Sequence, residues 1–202
     1  MSDVMPLYGC RLLEVDKLDS DTDFDPEDDP VVLEVPQEAG VEPDIIEGAR
    51  DELRGGDRLV AVIEEEDYLA GLNITFNNAE LDPESIKIIA GGGDLIEDEE
   101  EEPNVIGYES PTFDDQHDGR VPFQAKLYVA QYKEGFSERE ELEGFIEFTF
   151  PYCKGQIPSV SPAGQTFMVP SFTIEAREHK HSDPKQGAFK FKEVDVGDLP
   201  SV

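Results

Sequence analysis

Among side chains able to do chemistry, carboxylates dominate: 48 Asp and Glu stand against 16 Lys and Arg, three His and two Cys. In DSDTDFD, Asp19, Asp21, Asp23 and Asp25 offer hard oxygens at alternating positions, the donor type calcium takes. The register of a calcium loop fails, however. Counting from Asp19, Phe24 falls where the sharp-turn Gly belongs and Pro30 where a bidentate Glu belongs. These four are weak metal candidates, and a solvated acidic loop is the expected role. His179, Lys180, His181 and Asp183 could set two imidazoles on one face of an extended segment, but a clear fourth ligand is missing, so histidines facing solvent at a strand end are expected. His117 sits alone in an acidic stretch. Cys10 and Cys153 are too few for a disulfide scaffold and read as separated buried thiols.

Catalytic motifs are absent: there is no nucleophile elbow, no phosphate loop and no His-Glu-x-x-His. GGGD at 91–94 has the glycines of a phosphate cradle but no nearby cation, and an acidic run follows, so a helix stop is the better account. With so many carboxylates, some pair will reach glycosidase spacing by chance, and nothing singles out an acid and a base. No catalytic residue and no cofactor is assigned, and the chain reads as a non-enzyme.

The elements that would carry these residues are mostly strands. The chain has 202 residues, a formal charge of -32 and 38% apolar residues, including 12 Phe and 6 Tyr in alternating runs. That placement supplies a sheet core despite the charge. Six cations meet 31 acids in residues 1–101, and ten meet 17 in residues 102–202, so the acidic surplus belongs to the first half. Tight binding of nucleic acid through phosphates and docking on anionic membranes are disfavoured, and no apolar run reaches the roughly 20 residues of a spanning helix. The start of the chain lacks the basic and apolar parts of a signal peptide, so synthesis in the cytoplasm is expected.

Strands are expected at 8–18, 31–35, 58–64, 73–76, 123–132, 145–152, 167–178 and 188–196. The last should carry a bulge near Lys192 and Glu193, where its alternation changes phase. Residues 44–54 and 58–64 read as a hairpin turning at Gly55, Gly56 and Asp57, its second strand covered on both sides. Between 36 and 43 an acidic connector is expected. Asp82 as cap, Pro83 at the first position and Glu84 predict a two-turn helix with Ile86, Ile88 and Ile89 on its apolar side, stopped by Gly91. Residues 19–30 and 97–119 read as long acidic loops. The expected fold is mainly β: one antiparallel sandwich or barrel domain over residues 1–202, with one short flanking helix.

Residues 47–84, EGARDELRGGDRLVAVIEEEDYLAGLNITFNNAELDPE, resemble the tail tube (major tail) proteins of tailed bacterial or archaeal viruses. The resemblance rests on the strand ending Glu-Leu-Arg, the Gly55-Gly56 turn, the strands at 58–63 and 71–76, and the run from Asn78 into a glycine-stopped helix. GQTFMVPSFTIEARE at 164–178 is similar in style to a late strand of such proteins. The resemblance implies a virion tail subunit forming rings, usually hexameric, that stack into a hollow tube. Its partners would be other copies of itself and other tail proteins, with DNA passing through without tight binding. The long acidic insertions depart from the family's usual pattern. Acidity suits a conduit that must not hold DNA, and equally a protein adapted to a high-salt host. Lys190 and Lys192 are the candidates to face a neighbouring subunit's carboxylates. The alternative reading is an acidic β-sandwich module, possibly ion-dependent, that recognises a protein or carbohydrate through its loops.

Overall fold

The structure, a computed structural model, describes residues 7–19, 25–26, 29–34, 36–55, 57–98, 104–112, 120–132, 142–180 and 185–200. The strands are β1 (Leu7–Asp19), β2 (Asp25–Pro26), β3 (Val31–Leu33), β4 (Pro36–Ile46), β5 (Arg50–Gly55), β6 (Arg58–Glu64) and β7 (Tyr68–Asn78). After helix α1 (Pro83–Ala90) come β8 (Asp94–Asp98), β9 (Asn104–Glu109), β10 (Phe123–Tyr132), β11 (Leu142–Gly155), β12 (Ser171–Ala176) and β13 (Lys190–Val194). Nine of them form one antiparallel sheet in the order β2-β1-β10-β11-β12-β7-β4, with β3 added to β1 and β13 to β11. The mainly β, antiparallel fold with one short helix is as the sequence predicts. The sheet is not closed into a barrel, because β2 and β4 stand at opposite ends of the order and do not pair with each other.

The long strand β11 makes this arrangement possible. Its residues 145–149 lie between β10 and β13, and at 153–155 it takes β12 as its neighbour instead. The sheet thereby wraps its own apolar face. Leu13 and Val15 of β1, Leu127 of β10, Phe150 of β11, Phe172 of β12 and Phe76 of β7 meet in one buried cluster. Helix α1 closes this cluster with Ile86 and Ile89. Its start is built as the sequence indicates: the Asp82 carboxylate accepts from the Ser85 backbone N–H at 2.8 Å, and Pro83 occupies the first turn. Gly91 ends it at φ 75°, a conformation that glycine adopts without strain. Gly155 allows α1 to approach β11, since a Cβ there would lie 2.4 Å from the Ile89 carbonyl oxygen.

Several expectations are corrected. The 36–43 connector is strand: β4 pairs along β7 from Pro36↔Asn78 to Ile46↔Tyr68. Prolines are tolerated there because β4 is an edge strand whose outer side needs no donors. Residues 44–46 belong to β4, so the 44–64 hairpin is shorter, with β5 starting at Arg50. It turns after the Gly55↔Arg58 pair, as expected, but β5 and β6 form a separate two-stranded sheet. Its second strand is not covered on both sides, for Val62 and Ile63 are exposed. In the acidic region, 97–98 and 104–109 are strand, because β8 and β9 pair. In the first acidic loop, β2 folds back on the end of β1. Residues 20–24, 27–28, 99–103 and 113–119 of the two acidic segments lie outside the described residues. The late strand starts at Ser171, not 167. The ladder of β13 runs without the anticipated bulge, from Phe145↔Val194 to Thr149↔Lys190. That ladder also means that 145–149 is an interior stretch and not an open edge.

Candidate assembly surface

Strand alternation gives the sheet a second face, opposite the core, and in β1, β10, β11 and β13 that face is charged. Lys126 donates to Glu14 across the β1–β10 pair at 2.5 Å. The Tyr128 hydroxyl sits between two carboxylates, at 3.2 Å from Glu14 and 3.4 Å from Glu147. Glu147 accepts from Thr149 at 2.7 Å and is paired with Lys192 of β13 at 3.1 Å. Glu14, Tyr128, Glu147 and Thr149 are all buried. Burial pushes the Glu147 carboxyl up, but the Thr149 hydrogen bond, the Lys192 contact and the Lys126 charge together hold it below its ordinary value. Burial and the two flanking carboxylates raise the Tyr128 phenol, so it stays a donor. The network binds four strands together. Beside it lies a cleft of about 420 Å³ lined by Gln131, Glu143, Glu147 and Lys192 among others.

Lys192 is therefore engaged within its own chain, while Lys190, its companion in the sequence reading, is exposed on β13. At the hairpin, Gly55 ends β5 and Asp57 is an exposed turn residue; Gly56 lies outside the described residues. Asp19 and Asp25 are direct partners in the β1–β2 pair, and Asp21 and Asp23 lie outside the described residues. Among the described residues no group of three or more His, Cys, Asp or Glu could hold a metal. His179, expected to face solvent, is buried beside Tyr152, with ring centroids 5.4 Å apart, and its backbone pairs with Gln186. His117, His181 and Asp183 lie outside the described residues. Both thiols are free. Burial raises the Cys10 thiol to about 12 and that of the fully buried Cys153 further.

The surface is notable for large apolar side chains at its margins. On the β5–β6 hairpin, Leu53 is 63% and Ile63 68% exposed, and cross-strand pairing puts both on one face. Ile45 and Ile46 of the edge strand β4 lie exposed beside Tyr68 and Leu69. On β13, which among the described residues pairs only with β11, Phe191 is 66% exposed. Sequence reasoning took Ile63 and Phe191 for covered residues, since strand periodicity shows which residues share a face but not whether anything covers it. The Glu14–Lys126 and Glu147–Lys192 pairs were also missed. Opposite charges on the non-core positions of strands were the available signal, but it needs the register to become a pairing.

No known sequence family and no curated protein matches the chain. Among solved structures, one chain of "Cryo-EM structure of the anti-feeding prophage (AFP) baseplate, 6-fold symmetrised" is similar over 97% of this chain and 100% of its own. With 11% identity and a TM-score of 0.37, that similarity is too distant to carry an argument about family or role.

Proposed function

We propose that this protein is a non-enzymatic structural subunit that associates with copies of itself as stacked rings, forming the tail tube of a virus. The observation that carries the reading is the set of large apolar side chains on open strand edges and on a projecting hairpin, in a chain of charge -32. A surface charged strongly enough to keep monomers apart has no use for such residues unless contacts cover them. The resemblance of residues 47–84 to tail tube proteins supplies the geometry of rings. The acidic surface supports passage of DNA, because carboxylates repel phosphates within a Debye length of about 8 Å at physiological salt.

Sedimentation of concentrated protein against salt concentration, with and without magnesium, tests this reading, with negative-stain micrographs of the heavy fractions. Like charges oppose assembly and apolar contacts drive it, so association should strengthen as salt rises from low concentration. Protein that stays monomeric at every salt concentration, even with a tail initiating complex supplied, would sink the proposal in favour of a loop-based binding module.

A further inference from the structure

From Phe148 to Ile174 the chain contains no Asp or Glu, and from Gly155 to Ile174 no charged residue at all, although 32% of the whole chain is charged. Much of this stretch is an arm between β11 and β12. Its base is pinned by two backbone hydrogen bonds between Ser159 and Ser171, at 2.8 and 3.0 Å, and by the buried Pro170, whose carbonyl accepts from Asn78 at 3.2 Å. Beyond the base the arm turns through Gly164 and Gln165 and holds Phe167 in the open, 99% exposed, with Val160 and Met168 also exposed. Pro158, Pro162 and Pro170 limit the conformations it can adopt. A fully exposed Phe on a proline-stiffened, uncharged arm is built to be covered.

A groove of about 700 Å³ lies at the other end of the same strand pair, lined by Tyr68, Leu69, Ala188, Tyr152, Arg177 and Lys180 among others. The register places Ser171↔Asn77 at the arm and Ala176↔Leu72 at the groove, so five residues of strand, roughly 17 Å, separate the two ends. Phe167 is exposed, so its own groove does not hold it.

Resting on the assembly reading above, we infer that the 156–170 arm of one copy docks its Phe167 in the 68–71 groove of the next, head to tail. The assembly reading makes a second copy the occupant, and the charge distribution singles out the arm as the part of one copy that can approach another. Any approach between two molecules of charge -32 is repulsive, and the arm is the long segment that carries no charge into the contact. The groove complements it with the apolar surfaces of Tyr68, Leu69 and Ala188 and with Lys180, a cation able to lie against an aromatic ring, while Arg177 is held by Asp44 and Glu175. Unlike surfaces at opposite ends of one subunit make a heterologous contact, which propagates into a ring or a filament.

The test places a photoreactive benzophenone amino acid at position 167, irradiates concentrated protein at high salt, and maps the adduct. It also compares the association of wild type with that of Phe167→Ser and Leu69→Ser. The expected result is an intermolecular adduct within residues 68–71 or 187–188, and a rise of roughly tenfold or more in the concentration for half-association of each variant. Phe167→Ser should leave the monomer's melting unchanged, because the side chain touches little of its own chain. Absence of an intermolecular adduct, an adduct on another surface, or unchanged association of both variants overturns the inference. Large species in wild type without the groove adduct would remove the arm contact and leave assembly standing. The groove adduct without rings or tubes would uphold the contact and remove the tube.

Discussion

Replacing Lys126 with Met tests whether the charged face of the sheet is a structural network. Lys126→Met keeps the aliphatic stem and deletes the ammonium that lies 2.5 Å from Glu14. The Glu14 side chain is only 7% exposed, so water replaces the lost partner only in part. The Tyr128 hydroxyl would remain as its donor, but that group is shared with Glu147. Breaking a buried pair from one side costs about 3–5 kcal/mol. Lys126 is itself 27% exposed, so its removal leaves some access for water, and a loss of about 2–3 kcal/mol is expected. For a chain of this size each kcal/mol moves the melting temperature by about 2–4 °C, giving a fall of about 4–12 °C. Urea and thermal unfolding followed by circular dichroism would measure it. Glu14→Gln in the Lys126→Met background should recover part of the loss, since it removes the orphaned charge. The deficit should persist in high salt, which screens buried pairs far less than exposed ones. A loss below about 0.5 kcal/mol, the range of an exposed ion pair, would refute the reasoning.

Two further outcomes follow from local geometry. Asp82→Ala removes the bond to the Ser85 N–H and should cost about 1 kcal/mol, a shift of about 2–4 °C in melting temperature; an unchanged melt would mean that the cap contributes nothing. Glu147 is held below its ordinary 4.5 in the folded state, so its ionised form contributes stability that is complete above about 4.5 and is lost as pH falls through the folded value. The stability difference between wild type and Glu147→Gln should accordingly shrink as the pH falls below about 4.5, and a difference constant through the acid range would count against the assignment.

What the sequence determined by itself was whatever depends on neighbours in the chain. Helix α1 is legible because Asp82, Pro83 and Gly91 satisfy its ends locally, and the hairpin turn because a Gly pair interrupts two strand-like runs. Strand β10 is legible because Phe123, Ala125 and Leu127 alternate with polar residues and are buried on one side. The net charge needs no structure at all. Only the tertiary structure decided which apolar faces are covered. Ile63 and Phe191 carry the same local pattern as Ile174, yet the first two are exposed and the third is buried, because only β12 lies inside the curl of the sheet. The same holds for β4, whose prolines argue against a strand until an edge position removes their cost. It holds also for the uncharged arm, whose local pattern suits a strand from 167 but whose β12 starts at Ser171 and leaves Phe167 outside. Periodicity records which side chains share a face, whereas burial depends on strands distant in sequence that come to lie against that face.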